Sequence, residues 1–220
     1  MIEKSEAVKA ALSASEDLSD WVEANQPTSC IETGTRRYAL TLFAIALEHR
    51  AATLLLANYG AMTSAFALAR PIYEAFMRGM WAAHCATPED FKLMSRTMGI
   101  AKLETVVKVV QKTFPGNDAF KRSRDILWAP LSDYAHGGVR QMTRWMGRDT
   151  IEPQYSDEEI VELLGFADMY GLMASMQISA MAGGDDAAYG DRWDALCSGL
   201  RARKVASSRP ETTVGRVSEK

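Results

Sequence analysis

The residues best suited to chemistry lie in two short segments, and the first is Ser132–Arg140. Its sequence, SDYAHGGVR, places Asp133 and His136 three residues apart, with Arg140 following them. Residues at this spacing share a helix face, and an imidazole near a carboxylate and a guanidinium can combine acid–base chemistry with anion binding. We take His136 and Arg140 as candidate catalytic residues and Asp133 as a candidate binding residue. The alternative is a histidine that ends a helix before two glycines, and the sequence leaves both interpretations open.

The second segment is an apolar stretch that contains a few charges. Between Tyr38 and Ala69, the residues that can carry charge are Glu48, His49 and Arg50. Apolar neighbours at three and four positions on either side indicate a central helix. A buried charge without a partner is very costly, so this helix needs an opposite charge from another element.

A turn near Tyr59 offers such a partner. Glu48 precedes Tyr59 by eleven residues and Arg70 follows it by eleven, so an antiparallel helix pair would place them opposite each other. Arg70, Glu74 and Arg78 then share one helical stripe at i, i+4 spacing. We predict a buried Glu48–Arg70–Glu74 network, with Arg78 as a fourth binding residue. Such a network either sets helix register or lines a functional pocket, and both remain open.

A basic and aromatic cluster follows the histidine segment. Arg140, Arg144 and Arg148 surround Trp145. Arginines can neutralise a nucleic-acid backbone while an aromatic ring stacks on its bases, so Arg144 is a further candidate binding residue. A solvated face with arginine stems lying over apolar surface would produce the same pattern.

The elements that would carry these residues are helices. No segment alternates with period 2 between turn signals, whereas helical periodicity covers most of the chain. We predict an all-α, single-domain antiparallel bundle of about seven or eight helices over residues 1–204, followed by a disordered tail at 205–220. Helices are expected at residues 3–25, 35–58, 61–86, 88–114, 118–136, 139–146, 156–182 and 185–204.

The composition indicates an ordinary globular chain. The 220 residues carry a net charge of −3 and are 47% hydrophobic, so a sizeable core is expected and no overall field favours nucleic acid. Three widely spaced cysteines, Cys30, Cys85 and Cys197, argue for a reducing compartment, and we predict a cytoplasmic location. Glu-x-x-His pairs and clustered Cys and His are lacking, so neither a metal nor another cofactor is predicted.

One uncharged stretch, Ala51–Ala69, is nearly long enough to span a membrane. Asn58, Tyr59 and Gly60 interrupt it near its centre. This break predicts two helices joined by a turn, and no membrane association.

The same segments carry a resemblance. The chain resembles bacterial all-helical families of unknown function in three successive segments, LEHR, ALARPIYEAFMRGMWAAHCATPEDF and LSDYAHGGVRQ. Those families are distantly similar to the HEPN superfamily of defence and toxin systems. The resemblance covers about Arg37 to Ala182. It implies that this chain matches the polar positions of the pattern at Glu48, Arg70, Glu74, His136 and Arg140.

Three functions are compatible with these observations. The favoured one is a module that binds a partner chain or a small anion near Arg70 and His136. The resemblance also suggests a metal-independent ribonuclease, with His136 as acid–base and Arg140 or Arg144 on phosphate. Ribonucleolytic HEPN proteins carry an arginine separated from the histidine by four to six residues, whereas the nearest preceding arginine here is Arg124. The third possibility is a homo-oligomer with a purely structural ion network.

Overall fold

The computed structural model describes residues 4–27, 34–97, 101–116, 118–147, 149–184 and 186–207. These residues form nine helices and no strand, with one isolated β-bridge between Met146 and Ile151, so the all-α prediction is confirmed. In chain order the helices are α1 (Glu6–Asn25), α2 (Thr35–Tyr59), α3 (Met62–His84), α4 (Pro88–Thr97), α5 (Leu103–Thr113), α6 (Ala119–Ala135), α7 (Val139–Thr143), α8 (Asp157–Met181) and α9 (Asp186–Ser207).

Side-chain caps explain where several helices begin. The Ser5 hydroxyl accepts a hydrogen bond from the Val8 amide at the start of α1. At α8, Ser156 and Glu159 form the predicted capping box, in which each side chain accepts from the backbone N–H of the other residue. The four free amides of a first helical turn need such acceptors, so these caps fix the helix boundaries locally.

Several predicted boundaries differ from the observed ones. The single helix expected over residues 88–114 is two helices, α4 and α5, and Lys102 precedes α5 with a non-helical ψ of 139°. The helix expected over residues 139–146 ends at Thr143, and the chain then forms the Met146–Ile151 bridge. Three residues of the predicted tail belong to α9, which reaches Ser207, and residues 208–220 lie outside the described residues.

Helix α3 lies at the centre of the bundle. It forms an antiparallel hairpin with α2 and also packs against α5, α6 and α8. Helix α8 packs against α1, α2 and α9 as well, and Leu18, Leu172, Tyr189 and Leu196 form a second apolar cluster between them. Most of α3 is buried, and Arg70, Glu74 and Arg78 are among its partly exposed residues.

Among the described helices, α2 is long and apolar enough to cross a membrane by length and composition alone. The predicted break is confirmed: α2 ends at Tyr59, Gly60 adopts a left-handed φ of 89°, and α3 begins at Met62. One face of α2 packs against α3 and α8. Its buried residues recur every three or four positions, at Ala39, Phe43, Ala46, Arg50, Thr53 and Ala57.

Candidate functional site

The most deeply buried charges are Arg50 on α2 and Asp168 on α8. Their side chains are 5% and 2% exposed, and the Arg50 Nη2 and Nε atoms lie 2.8 and 3.0 Å from Asp168 Oδ1. Helix α1 completes the network, because Ser15 donates to Asp168 Oδ2 at 2.6 Å and Arg50 donates to Ser19 Oγ at 2.6 Å. This satisfied, enclosed pair joins three helices and leaves no room for a ligand, so we assign it a structural role.

Glycine at 171 makes that network possible. A Cβ at Gly171 would lie 2.8 Å from Arg50 Cδ, so the arginine stem crosses α8 where a side chain is missing. This close approach lets the guanidinium reach both Asp168 and α1.

Glu48 does not join a buried network. It is exposed, and both ion pairs of the predicted stripe are made to Glu74 instead. Successive helix residues are about 100° apart, so Glu48 and Arg50 point in nearly opposite directions and only one can face the core. The prediction that Glu48 is buried against Arg70 is therefore wrong, because the buried position belongs to Arg50.

The predicted stripe of Arg70, Glu74 and Arg78 on α3 does form. Arg70 Nε lies 2.7 Å from Glu74 Oε1, and Arg78 Nη1 contacts Glu74 Oε2. The three side chains are 18–22% exposed, so they are partly accessible and not enclosed. We call the partly exposed strip where α3 meets α6 the α3–α6 groove. Burial alone would raise the pKa of Glu74, but hydrogen bonds from both arginines outweigh it and the pKa is lowered.

Helix α6 supplies the opposite side of this groove. Trp128, Ser132 and His136 stand at i, i+4 spacing, so they share one face of the helix. The Arg70 guanidinium carbon lies 4.5 Å from the centre of the Trp128 ring, and Arg70 Nη1 contacts His136 Nε2. Arg70 thus extends along the α6 face from Trp128 to His136. The structure brings Arg70 and His136 together where α3 faces α6, with His136 exposed.

The Arg70–His136 contact fixes the histidine tautomer. A guanidinium has only donors, so His136 Nε2 accepts and the ring proton of a neutral imidazole is on Nδ1. The exposed imidazole therefore presents an N–H to its surroundings.

The backbone around His136 is a helix stop. His136 is the C-cap of α6, Gly137 has a left-handed φ of 66°, and the Gly138 amide donates to the Asp133 carbonyl at 2.8 Å. This is a Schellman motif.

Asp133 Oδ2 accepts from the Arg140 amide at 2.7 Å and lies 3.9 Å from Arg140 Nε. Asp133 therefore holds the start of α7 against α6, and Arg140 remains exposed beside it.

Arg144 is placed elsewhere. Its guanidinium pairs with Glu159 in the capping box of α8, and the neighbouring Trp145 donates from Nε1 to Thr63 Oγ1 at 2.7 Å. The predicted phosphate-binding role of Arg144 is not supported by this placement, because its charge is committed to Glu159. Arg148 lies outside the described residues.

Two polar atoms in the groove are buried without a partner. They are Ser132 Oγ and Arg78 Nε, and the comparable atoms elsewhere in the described chain are Arg144 Nε and Arg192 Nε. Buried polar groups are normally hydrogen-bonded, so these two atoms are exceptions to that rule where α3 meets α6.

The described residues contain no group of three or more His, Cys, Asp or Glu side chains arranged to hold a metal ion. Cys85 and Cys197 are free thiols, and Cys30 lies outside the described residues.

Two features were not predicted from the sequence, although signals existed. Asp168 is the sole charged residue between Glu162 and Asp185, so the test that singled out the charges at Glu48 and Arg50 also applies to it. The Trp128–Ser132–His136 stripe could have been read from its i, i+4 spacing.

Comparisons with known proteins identify a family and no function. No curated protein and no solved structure matches the chain significantly. One family model matches residues 43–190, which include Arg50, Arg70, Trp128, His136 and Asp168. The resemblance to a family of unknown function is thus confirmed, whereas the HEPN relationship stays a prediction. The chain belongs to DUF6988, a family of unknown function.

Proposed function

We propose that the chain is a soluble, cytoplasmic module that binds an anionic ligand in the groove between α3 and α6. One observation carries this proposal: Arg70 is held by Glu74, Trp128 and His136, yet its Nη2 atom has no hydrogen bond among the described residues. Nη2 is also not among the buried unpaired atoms, so it faces solvent. A fixed guanidinium with a free donor is ready to bind an anion.

Preorganisation supports this interpretation. An arginine normally loses side-chain entropy when it binds a ligand, and a guanidinium already fixed on three sides has less left to lose. Stacking on Trp128 also shields one face of the cation from water, which strengthens its hydrogen bonds to an anion.

The local charge favours the same class of ligand. Arg70, Arg78 and Arg140 are three cations and Glu74 and Asp133 are two carboxylates, so the groove carries one excess positive charge. Arg70 Nη2 and the exposed Arg140 guanidinium are donors that a ligand can reach. An oxyanion can accept from several such donors at once.

Titration with inorganic phosphate, sulfate and acetate tests this proposal. We expect phosphate or sulfate to raise the melting temperature of the wild type, because a ligand that binds the native state stabilises it. Arg70→Gln should weaken the binding at least about tenfold, a loss of about 1.4 kcal/mol. Arg122→Gln is the matched control, since Arg122 is an exposed arginine of α6. Equal anion response in Arg70→Gln and Arg122→Gln would refute the site.

RNA cleavage is a second candidate because Arg70 supplies an arginine beside His136. The linear arginine–histidine motif is missing, but the fold brings the two residues into contact from different helices. Release of His136 Nε2 from Arg70 would free a neutral imidazole to act as a base, while the guanidinium holds phosphate. Incubation of RNA with the protein in EDTA should then give cleavage that His136→Ala abolishes and Arg122→Gln preserves. Intact RNA at high protein concentration would remove this candidate.

A further inference from the structure

A second cavity lies at one end of the bundle, away from the α3–α6 groove. Helices α1 and α8 run in the same direction, since Ser15 contacts Asp168 and Gln26 contacts Ser175, so both begin at this end. The turn between α2 and α3 closes the same end at Gly60. The half-open cavity between these elements has a volume of about 270 Å³ and shares no lining residue with the Arg70–His136 groove.

The floor of this cavity is apolar. Val8 and Met62 are 2% and 7% exposed, and Ile160 and Tyr155 are half-buried beside them. Pockets for drug-sized ligands usually measure about 300–1,000 Å³, so a space of about 270 Å³ suits a smaller molecule of amino-acid size.

Opposite charges stand at the mouth. The Lys4 ammonium donates to the backbone oxygen of Asn58 and, at 3.0 Å, to Asn58 Oδ1, which leaves its third N–H available. Asp157, the first residue of α8, has no hydrogen bond or ion pair in the described part of the chain. The cavity therefore offers one ammonium donor, one free carboxylate and an apolar floor.

We propose that this cavity binds a zwitterionic amino acid with an aliphatic side chain. The ligand's ammonium pairs with Asp157, its carboxylate accepts from Lys4, and its side chain covers Val8, Met62 and Ile160. An uncharged apolar ligand would cover both charges without giving them partners, and that is costly. A ligand with one charge would satisfy Asp157 or Lys4 and leave the other unpaired.

Calorimetric titration of the full chain with three ligands that share one isobutyl side chain tests the proposal. L-leucine carries both charges, 3-methylbutylamine has lost the carboxylate, and 4-methylpentanoate has lost the amine. We expect leucine to bind at least about tenfold more tightly than either analogue, because both charges contribute. Equal affinity for leucine and one analogue, or no detectable leucine binding, would overturn the proposal.

Charge-neutralising variants test the two assigned residues. Asp157→Asn should weaken leucine binding about tenfold and remove the preference for leucine over 4-methylpentanoate. Lys4→Gln should likewise remove the preference for leucine over 3-methylbutylamine. The matched controls are Glu158→Gln, next to Asp157 in the same exposed turn of α8, and Lys9→Gln on α1.

The ligand preference distinguishes binding from a change in stability. A merely destabilised variant would lose affinity for all three ligands together. If Asp157→Asn and Glu158→Gln changed the preference equally, the cavity assignment would be wrong. None of these variants touches Arg70 or His136, so the outcome is independent of anion binding in the α3–α6 groove.

Discussion

Two arginines of this chain show how the surroundings of a residue decide its role. Arg50 is enclosed by Asp168 and two serines, and every donor group it presents to the interior has an acceptor. Arg70 is held just as firmly but at a groove, and one of its nitrogens remains open. The first arrangement sets the relative position of helices, whereas the second leaves a donor for a ligand.

At the residue scale we predict a large loss of stability for Asp168→Asn. Removing one partner of a buried ion pair leaves an uncompensated charge, and such changes cost about 3–5 kcal/mol. Urea unfolding of the variant should show this loss in the free energy of unfolding. Asp191→Asn, at an exposed position on α9, should stay within about 0.5 kcal/mol of the wild type. Equal stability of the two variants would contradict the structural role of the Arg50–Asp168 pair.

At the element scale, the junction of α6 and α7 positions the site. Gly137 supplies the left-handed residue that ends α6, and Gly138 leaves room for the Asp133 side chain. The Asp133 carboxylate in turn accepts from the Arg140 amide in the first turn of α7. This junction orients His136 toward Arg70, so the helix stop and the candidate site are two consequences of one local structure.

Gly138→Ala tests that junction. The new Cβ would lie 1.6 Å from Asp133 Oδ1, so the carboxylate must leave the Arg140 amide. We expect a loss of about 1–3 kcal/mol in unfolding free energy, together with weaker phosphate binding. In Gly116→Ala the added Cβ meets no atom within 4 Å, and the expected change in both measurements is small. Unchanged stability in Gly138→Ala would show that the Asp133 cap is dispensable.

At the scale of the whole molecule, the bundle separates its polar groups into three places. The Arg50–Asp168 pair is enclosed by α1, α2 and α8, and the Arg70 groove opens between α3 and α6. The charged mouth of the amino-acid cavity lies at the end where α1 and α8 begin. Helix α1 precedes the residues matched by the family model. It nevertheless contacts the buried Arg50–Asp168 pair through Ser15 and lines the cavity through Val8.

The same charge distribution predicts how stability changes with pH. The pKa of Glu74 is lowered in the folded chain, as is that of Glu104 through its hydrogen bond from Lys108. Glutamates in an unfolded chain have a pKa of about 4.3. The lowered native pKa values therefore stabilise the folded state fully above that pH, and this stabilisation is lost as the pH falls through the native pKa values. The melting temperature should therefore fall between about pH 5 and pH 3.

Glu74→Gln should remove part of this pH dependence. The variant loses charge-assisted hydrogen bonds to two arginines, so we expect it to be about 1–2 kcal/mol less stable than the wild type at pH 7. The difference should shrink toward pH 3, where Glu74 of the wild type also becomes protonated. Glu16→Gln, at an exposed site, is the control. If the free energy of unfolding of Glu74→Gln differed from that of the wild type by the same amount at pH 7 and pH 3, the ion-pair stripe would be contradicted.

The sequence by itself determined the helical class, the α2–α3 turn and the Arg70–Glu74–Arg78 stripe. These features depend on local rules, namely hydrophobic periodicity, glycine at a left-handed position and i, i+4 spacing. The capping box of α8 could be predicted from the sequence for the same reason. Each involves residues within a few turns of one another, where the backbone geometry is known in advance.

Tertiary structure alone decided which charge is buried and which partners meet across the bundle. Arg50 and Asp168 are 118 residues apart, and Arg70 and His136 are 66 apart, so their contacts depend on how whole helices are rotated and stacked. Equidistance from a turn places Glu48 near the height of Arg70 but does not specify its angle around the helix axis. The rotation of α2 about its axis is set by the packing of its apolar face. Arg50 lies on that face and is buried, whereas Glu48 lies on the other side and is exposed.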